Sequence, residues 1–198
     1  ADLGCGSGRW ARFVSDKVDT LICLDASSKA LRVAKRNLFD KKKCYIIQAR
    51  IDDLPIKDNS LDFAYSLGVL HHLPNTDDAI RMCSKKLKSG APFLIYLYYA
   101  FDNKPYWYLL VWKLSDVIRK VISRTPYKIK YFLCIIISVI LYYPLARLSF
   151  SLEKFGVNVK NIPLSEYRTK SFYSMRTDAL DRFGTRIEQR FTKKQIKK

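Results

Sequence analysis

ADLGCGSGRW, residues 1–10, sets glycine at positions 4, 6 and 8 and an acid at position 2. Bare glycines let the main chain turn through left-handed conformations and let a ligand approach without meeting a Cβ. A turn of this kind joins a buried strand to a helix in nucleotide-binding α/β units. A dinucleotide requires G-x-G-x-x-G/A, and GSGRWA at residues 6–11 satisfies that pattern. Its pyrophosphate would lie close to Asp2, a repulsive pairing, whereas a ligand carrying positive charge would be attracted.

The next run outward, TLICLD (20–25), reads as a buried strand ending in Asp25. A carboxylate at that point can accept both hydroxyls of a ribose, a feature common to several nucleotide ligands. It can equally cap the helix that begins near Ser27, SSKALRVAKRNLF (27–39). Two acids bracketing a glycine turn suit S-adenosyl-L-methionine, whose ammonium and sulfonium are both cationic.

The strand-and-helix rhythm continues to about residue 100. CYIIQARI (44–51) and SLDFAYSLGVL (60–70) read as strands, the latter entering a turn at Gly68. DDAIRMCSKKLK opens on Asp77 and Asp78 and is expected to run to Gly90, with APFLIYLYYA (91–100) as a fifth strand. This alternation implies right-handed crossovers and a doubly wound, mostly parallel sheet with ligands at the carboxyl ends of its strands.

DLGCGSG, LDAS, DDLPIKDNSLDFAYSLGVLHHLPN and LKSGAPFLIYLY, in that order and spacing, resemble the class I S-adenosylmethionine-dependent methyltransferases, in particular the type 11 group that includes ubiquinone and menaquinone methyltransferases. The resemblance covers residues 1–100 and implies a Rossmann-like core. It implies that Asp2, Gly4, Cys5, Gly6 and Gly8 surround the methionine end of the donor and that Asp25 and Ala26 hold the ribose. Ile51 and Asp52 would border the adenine, and Ser66 would lie near the transfer point. The family often has an acid where this chain has Arg50, so Asp52 or the backbone would have to replace it. The first motif opens at residue 2 and the last family strands are missing, so the chain is expected to be a fragment.

His71 and His72 are the only histidines, and they follow the fourth strand. Either is a candidate general base if the acceptor must lose a proton; either can instead cap the turn or pack beneath the donor. Tyr96, Tyr98 and Tyr99 read as strand packing. The five cysteines are scattered without a C-x-x-C pair, which fits reduced thiols in the cytoplasm and supports no metal site.

From residue 104 the character changes. The whole chain has 198 residues, 48% hydrophobic, with net charge +18. Of this charge, +4 belongs to residues 1–103 and +14 to residues 104–198. YWYLLVWKLSDVIRKVISR (106–124) is a basic amphipathic helix, and YFLCIIISVILYYPLA (131–146) is an uncharged run with Pro144 expected to kink its far end. Sixteen apolar residues lie between a buried helix and a bilayer span, so both readings stand. Residues 104–152 are therefore expected to form a helical lid or membrane-associating segment, and 153–198 a basic, loop-rich stretch leading into an incomplete C-terminal part of the core, with a helix resuming near Thr192. An apolar lid with a basic rim suits a small or lipid-like acceptor at an anionic membrane surface, with the protein cytoplasmic or peripheral there. The basic half, with Tyr167, Arg168, Phe172, Tyr173 and Arg176, suits a transfer RNA or other nucleic-acid substrate less well. A non-catalytic scaffold that keeps the fold is the third reading, and a merely solvated basic surface the simplest account of the charge.

Overall fold

The computed structural model describes residues 1–102 and 104–196. They form two compact units, one of Ala1–Tyr99 with Gln189–Lys193, the other of Ala100–Glu188 with the chain beyond Lys193. The division falls after Tyr99; Asn103, at the expected boundary, lies outside the described residues. No second division occurs near residue 152.

In the first unit, β1 (Asp2–Leu3), β2 (Leu21–Asp25), β3 (Cys44–Gln48), β4 (Ala64–Leu67) and β5 (Phe93–Tyr96) form a parallel sheet in the order β3-β2-β1-β4-β5. Adjacent residues of β1 supply its two faces. Leu3, with Leu24 and Ala64, packs into one cluster with Ala79 and Cys83 of α3 (Thr76–Lys86). On the other face, Asp2 is in register with Cys23 and Tyr65. These two neighbours pack with Ala11 of α1 (Ala11–Val14) and with Leu31 of α2 (Ser28–Asn37). The sheet is thus doubly wound, and its strand order reverses at β1, which places a crevice at the carboxyl end of β1.

Side-chain caps start both longer helices where the sequence suggests. Ser27 Oγ accepts from Ala30 N at 3.2 Å, and Asn75 Oδ1 accepts from Asp78 N at 3.2 Å. The helix α3 stops at Lys86, short of Gly90, because Leu87 turns extended and bridges to Leu61. Gly90, at φ +76°, shapes the following turn instead.

The second unit is helical. α4 spans Tyr106–Ile122, α5 Tyr127–Ile137, α6 Tyr143–Lys154 and α7 Phe172–Gly184. A π-helical turn over Ser138–Tyr142 joins α5 to α6 into one helix of 28 residues. The wider turn lies immediately before Pro144, whose ring would clash with the carbonyl four residues back in a regular α-helix. The strain expected at Pro144 is thus absorbed by widening.

α7 lies in the stretch expected to be loop. Its buried residues Met175, Ala179 and Phe183 recur every fourth position, and Ser171 Oγ caps it by accepting from Ser174 N at 3.2 Å. With Ile122, Cys134, Tyr142, Ala146 and Leu164 they make the core of this unit. A short α8 (Lys193–Ile196) forms near the expected Thr192. Met175 has no exposed surface and Tyr173 is 67% exposed. Urea unfolding of the Met175→Ala variant should show a loss of about 2–5 kcal/mol, against about 0.5 kcal/mol or less for Tyr173→Ala.

Candidate functional site

The glycine turn leaves β1 held by β2. Gly4 N and Cys5 N both donate to the Leu24 carbonyl at 2.8 Å, and Gly8 N donates to the Cys5 carbonyl at 2.9 Å. Gly4 has φ +89°, and a Cβ there would sit 2.4 Å from Val69 Cγ2, so the turn and the loop after β4 are in contact. Gly6 has φ +54°, but a Cβ there would meet nothing within 4 Å. Gly8, φ +76°, faces Leu38 of the segment after α2. All three glycines adopt a left-handed backbone, and at Gly4 and Gly8 a Cβ would also clash with a neighbour. Gly6 alone borders open space, as a ligand cradle would.

Asp25 ends β2 and fixes this turn. Its Oδ2 accepts from Gly6 N at 2.9 Å and its Oδ1 from Ser27 N at 2.8 Å. A carboxylate offers about four lone-pair sites. Each oxygen keeps one, enough for two neighbouring ribose hydroxyls, and the residue is only half-buried. Ala26, next in sequence and exposed, accepts from Gln48 Nε2 at 3.2 Å through its carbonyl, tying β2 to β3.

Asp2 is placed differently from expectation. It is 3% exposed and lies beneath the turn rather than on its surface. Burial pushes its carboxyl up to about 7, and the Tyr65 hydroxyl, near it but outside hydrogen-bond geometry, pulls it only partly back. Its Oδ2 has no hydrogen-bond partner. A buried carboxyl of this kind has its ionised form stabilised when a cation arrives nearby, so Asp2 is placed where its field could favour a cationic ligand.

Ser66 is likewise not on the surface. It has no exposure, and its Oγ donates to the Leu3 carbonyl at 2.7 Å, clamping β4 to β1 one residue before Gly4. Cys5 is buried, a free thiol. Ile51 packs into the core with Leu54 and Ile56, leaving its backbone as what it can offer an adenine. Asp52 is exposed, and Arg50 holds it in a two-point ion pair, Nε–Oδ1 2.8 Å and Nη2–Oδ2 2.7 Å, which keeps its carboxyl below the usual range. The arginine that replaces the family's acid thus also occupies the acid proposed to stand in for it.

His71 has no exposure, and burial, with His72 and Arg190 adding to it, holds its imidazole down to about 3. It stays neutral and has too little proton affinity to act as a base near neutral pH. Its ring stacks against Tyr98 with centroids 3.8 Å apart. His72 is half-buried beside it, ring centroids 4.1 Å apart. Sequence reading missed Val69 and Tyr65, which complete the turn and the Asp2 pocket. The chain expected to lead back into the core beyond residue 153 joins the first unit at Gln189–Lys193, though the contacts it makes there were not foreseen. There Gln189 N donates to the His71 carbonyl at 2.9 Å, Gln189 Nε2 to Leu73 O at 2.6 Å, and Phe191 N to Tyr98 O at 2.9 Å. Nothing in local spacing signals a contact between segments so distant in sequence. Among the described residues no group of three or more His, Cys, Asp or Glu side chains could hold a metal ion.

Residues 1–95 match the family model described as a methyltransferase domain. Phosphoethanolamine N-methyltransferase 2 of Caenorhabditis elegans is 32% identical over 100 residues, which are 49% of this chain and 23% of that protein. An uncharacterized protein of Methanocaldococcus jannaschii is 26% identical over 193 residues, covering 86% of this chain and 69% of its own length. The crystal structure of the YcgJ protein from Bacillus subtilis shares the fold with a TM-score of 0.50 and 24% identity, over 62% of this chain and 50% of that one. The chain spans about a quarter of the length of the first curated methyltransferases it matches. The first unit is thus similar to a methyltransferase domain over residues 1–95, and its bare turn, open cradle at Gly6 and two carboxyls are compatible with an S-adenosylmethionine donor.

Gly4 and Gly6, both left-handed, separate steric demand from binding. Gly4→Ala should destabilise the domain, because Val69 blocks the new methyl group. Gly6→Ala, strained at φ +54° but meeting no neighbour, should cost less stability than Gly4→Ala yet lose donor affinity at least tenfold, read by thermal melting and by calorimetry. Asp2 adds a pH signature. Its folded pKa lies above its unfolded value of 3.8. The folded state therefore holds a proton that the unfolded chain has lost, and this contribution to stability is full below about 4 and falls away as pH rises to about 7. Across that window the wild type should lose up to about 4 kcal/mol relative to Asp2→Asn in urea unfolding. Donor binding at pH 6 should release a proton, detected by calorimetry in buffers of different ionisation enthalpy, and Asp2→Asn should abolish the release.

Proposed function

We propose that this chain transfers a methyl group from S-adenosylmethionine to a hydrophobic, lipid-like acceptor, working at the cytoplasmic face of an anionic membrane. The observation that carries the donor half is the open space at Gly6 beside the half-exposed Asp25 carboxylate. The acceptor half is supported by the exposed apolar side chains of the helical unit, among them Leu110, Leu114, Phe132 and Ile140, each more than half exposed, in a half of the chain carrying +14.

When bound, the sulfonium would supply an activated methyl group whose carbon an acceptor atom attacks in line, the C–S bond breaking as the donor's sulfur leaves as a neutral thioether. The protein's task is then positioning and exclusion of water rather than activation. Asp25 and the Gly4–Gly8 backbone orient the donor's nucleoside and methionine ends. Asp2 compensates the donor's positive charge from beneath the turn. Ser66 holds the Leu3 carbonyl and so the entry to Gly4. If the acceptor is a hydroxyl, His72 is the histidine left to take its proton, since His71 is locked in the neutral form; an amine or an enolate-like carbon needs no such base.

The nucleic-acid reading has weaker support. Arg168 is paired with Glu153 at 2.6 Å, and Arg176 lies over the Tyr131 and Tyr173 rings, so two cations offered for phosphates are engaged within the unit. The full chain incubated with methyl-labelled donor, phospholipid vesicles carrying an extract of cellular lipids, and bulk transfer RNA should place the label in the organic-solvent fraction. Label in the RNA fraction would select the nucleic-acid reading, and donor binding without any transfer would select a scaffold.

A further inference from the structure

Helix α4 is built inside out. Leu110, Leu114, Val117 and Val121 follow one another along a single row of the helix surface, and they are 61, 60, 60 and 63% exposed. Trp107, Val111 and Ile118 flank the row, at 48, 47 and 50%. The opposite side carries the charge. Arg119 is 5% exposed, pairs with Asp116 at 2.6 Å, and donates to the Thr185 and Arg186 carbonyls at 3.0 Å each. Ser115 Oγ accepts from Arg182 at 3.2 Å on the same side. A helix packed against a core in water presents the reverse arrangement.

The charge on the outside has one sign and one place. Lys113, Lys120 and Arg124 are exposed and lie together along one border of the apolar row. Asp116, the one acid in Tyr106–Ile122, points inward, where Arg119 and Lys120 hold it well below the usual carboxylate range against the effect of burial. An apolar row bordered only by cations matches the boundary between acyl chains and phosphate headgroups.

We propose that α4 lies in the plane of an anionic lipid leaflet, with the Leu110–Val121 row among the acyl chains and Lys113 and Arg124 on the phosphates. The inference rests on the membrane reading given above and specifies its contact surface. It also decides between lying on the membrane and crossing it. The helix Tyr127–Lys154 is long and apolar enough to cross, with 22% of its most apolar window buried. Its buried side, however, packs in one cluster with α7, which carries Arg176, Asp178, Asp181 and Arg182, and Lys130 donates to the Gly184 carbonyl at 3.1 Å. Crossing would draw those charges into hydrocarbon, where an ionised side chain is strongly disfavoured. Lying in the leaflet surface leaves them in water.

Tryptophan reports the geometry directly. Trp107 flanks the exposed row, Trp112 sits on the other side of α4, and Trp10 belongs to the first unit. The full chain is mixed with vesicles of phosphatidylcholine brominated in the acyl chains, with or without phosphatidylserine. Quenching is expected only with phosphatidylserine. Trp107→Phe should remove most of it, and Trp112→Phe should leave it. Leu114→Glu, at an exposed position that the fold does not use, should weaken vesicle binding at least tenfold while leaving donor titration unchanged. Absence of quenching, quenching that survives Trp107→Phe, or unchanged vesicle binding of Leu114→Glu would overturn the assignment. So would a lipid-free dimer abolished by Leu114→Glu, which would give the row to a second copy of the chain. Label transfer to a detergent-dispersed lipid acceptor separates the two levels. If transfer persists while vesicle contact is absent, the α4 surface is wrong and the acceptor class stands. If vesicle contact occurs without label in lipid, the α4 surface stands and the acceptor class is wrong.

Discussion

The donor site depends on one carboxylate with two backbone partners. Asp25 accepts from Gly6 N on one oxygen and from Ser27 N on the other, at 2.9 and 2.8 Å. That pair of bonds joins the glycine turn to the start of α2 and fixes where the bare peptide at Gly6 faces. A charged acceptor makes both bonds stronger than neutral ones. The remaining lone pairs then point outward from a position the fold has already defined. In the proposed function, structural duty and ligand duty would be shared by one group, while Ser66, Val69 and Leu24 hold the other side of the same turn through Leu3, Gly4 and Cys5.

A second constraint governs charge. Asp2 is buried without a hydrogen-bond partner for one oxygen, a cost that the apoprotein meets by holding the proton up to about pH 7. A cationic ligand lowers that cost, so ligand binding and proton loss are linked. The helical unit solves a related problem in the opposite way: the buried Arg119 is matched by Asp116 and by two carbonyls, so its guanidinium is satisfied without water. With its charge satisfied inside, the helix can turn an apolar row outward.

The sheet, its order of elements and the glycine turn were legible because each rests on a local pattern: alternate glycines, acids at strand ends, and caps such as Ser27 and Asn75. What local pattern could not give was depth. Asp2, Ser66 and His71 lie at the expected positions in sequence, yet all three are buried, because neighbouring strands and the returning Gln189 segment cover them. Arg50 stands two residues from Asp52, and the pairing of the two was open to anticipation from that spacing. α7 escaped notice because Met175, Ala179 and Phe183 are separated by charged residues, although their fourfold spacing and Ser171 were in plain view. The amphipathic helix over 106–124 was legible, but the outward orientation of its apolar row follows from burial of Arg119, which only the tertiary structure reveals.

The central claim is that a bare turn pinned by Asp25 receives a cationic sulfonium nucleoside. Calorimetric titration of the full chain with S-adenosylmethionine and, separately, with a nicotinamide dinucleotide tests it most directly, wild type beside Asp25→Ala. The account predicts saturable binding of the sulfonium ligand alone, weakened in the variant by about 1–3 kcal/mol, roughly ten- to a hundredfold. Preference for the dinucleotide, or equal sulfonium affinity in the two proteins, would contradict it.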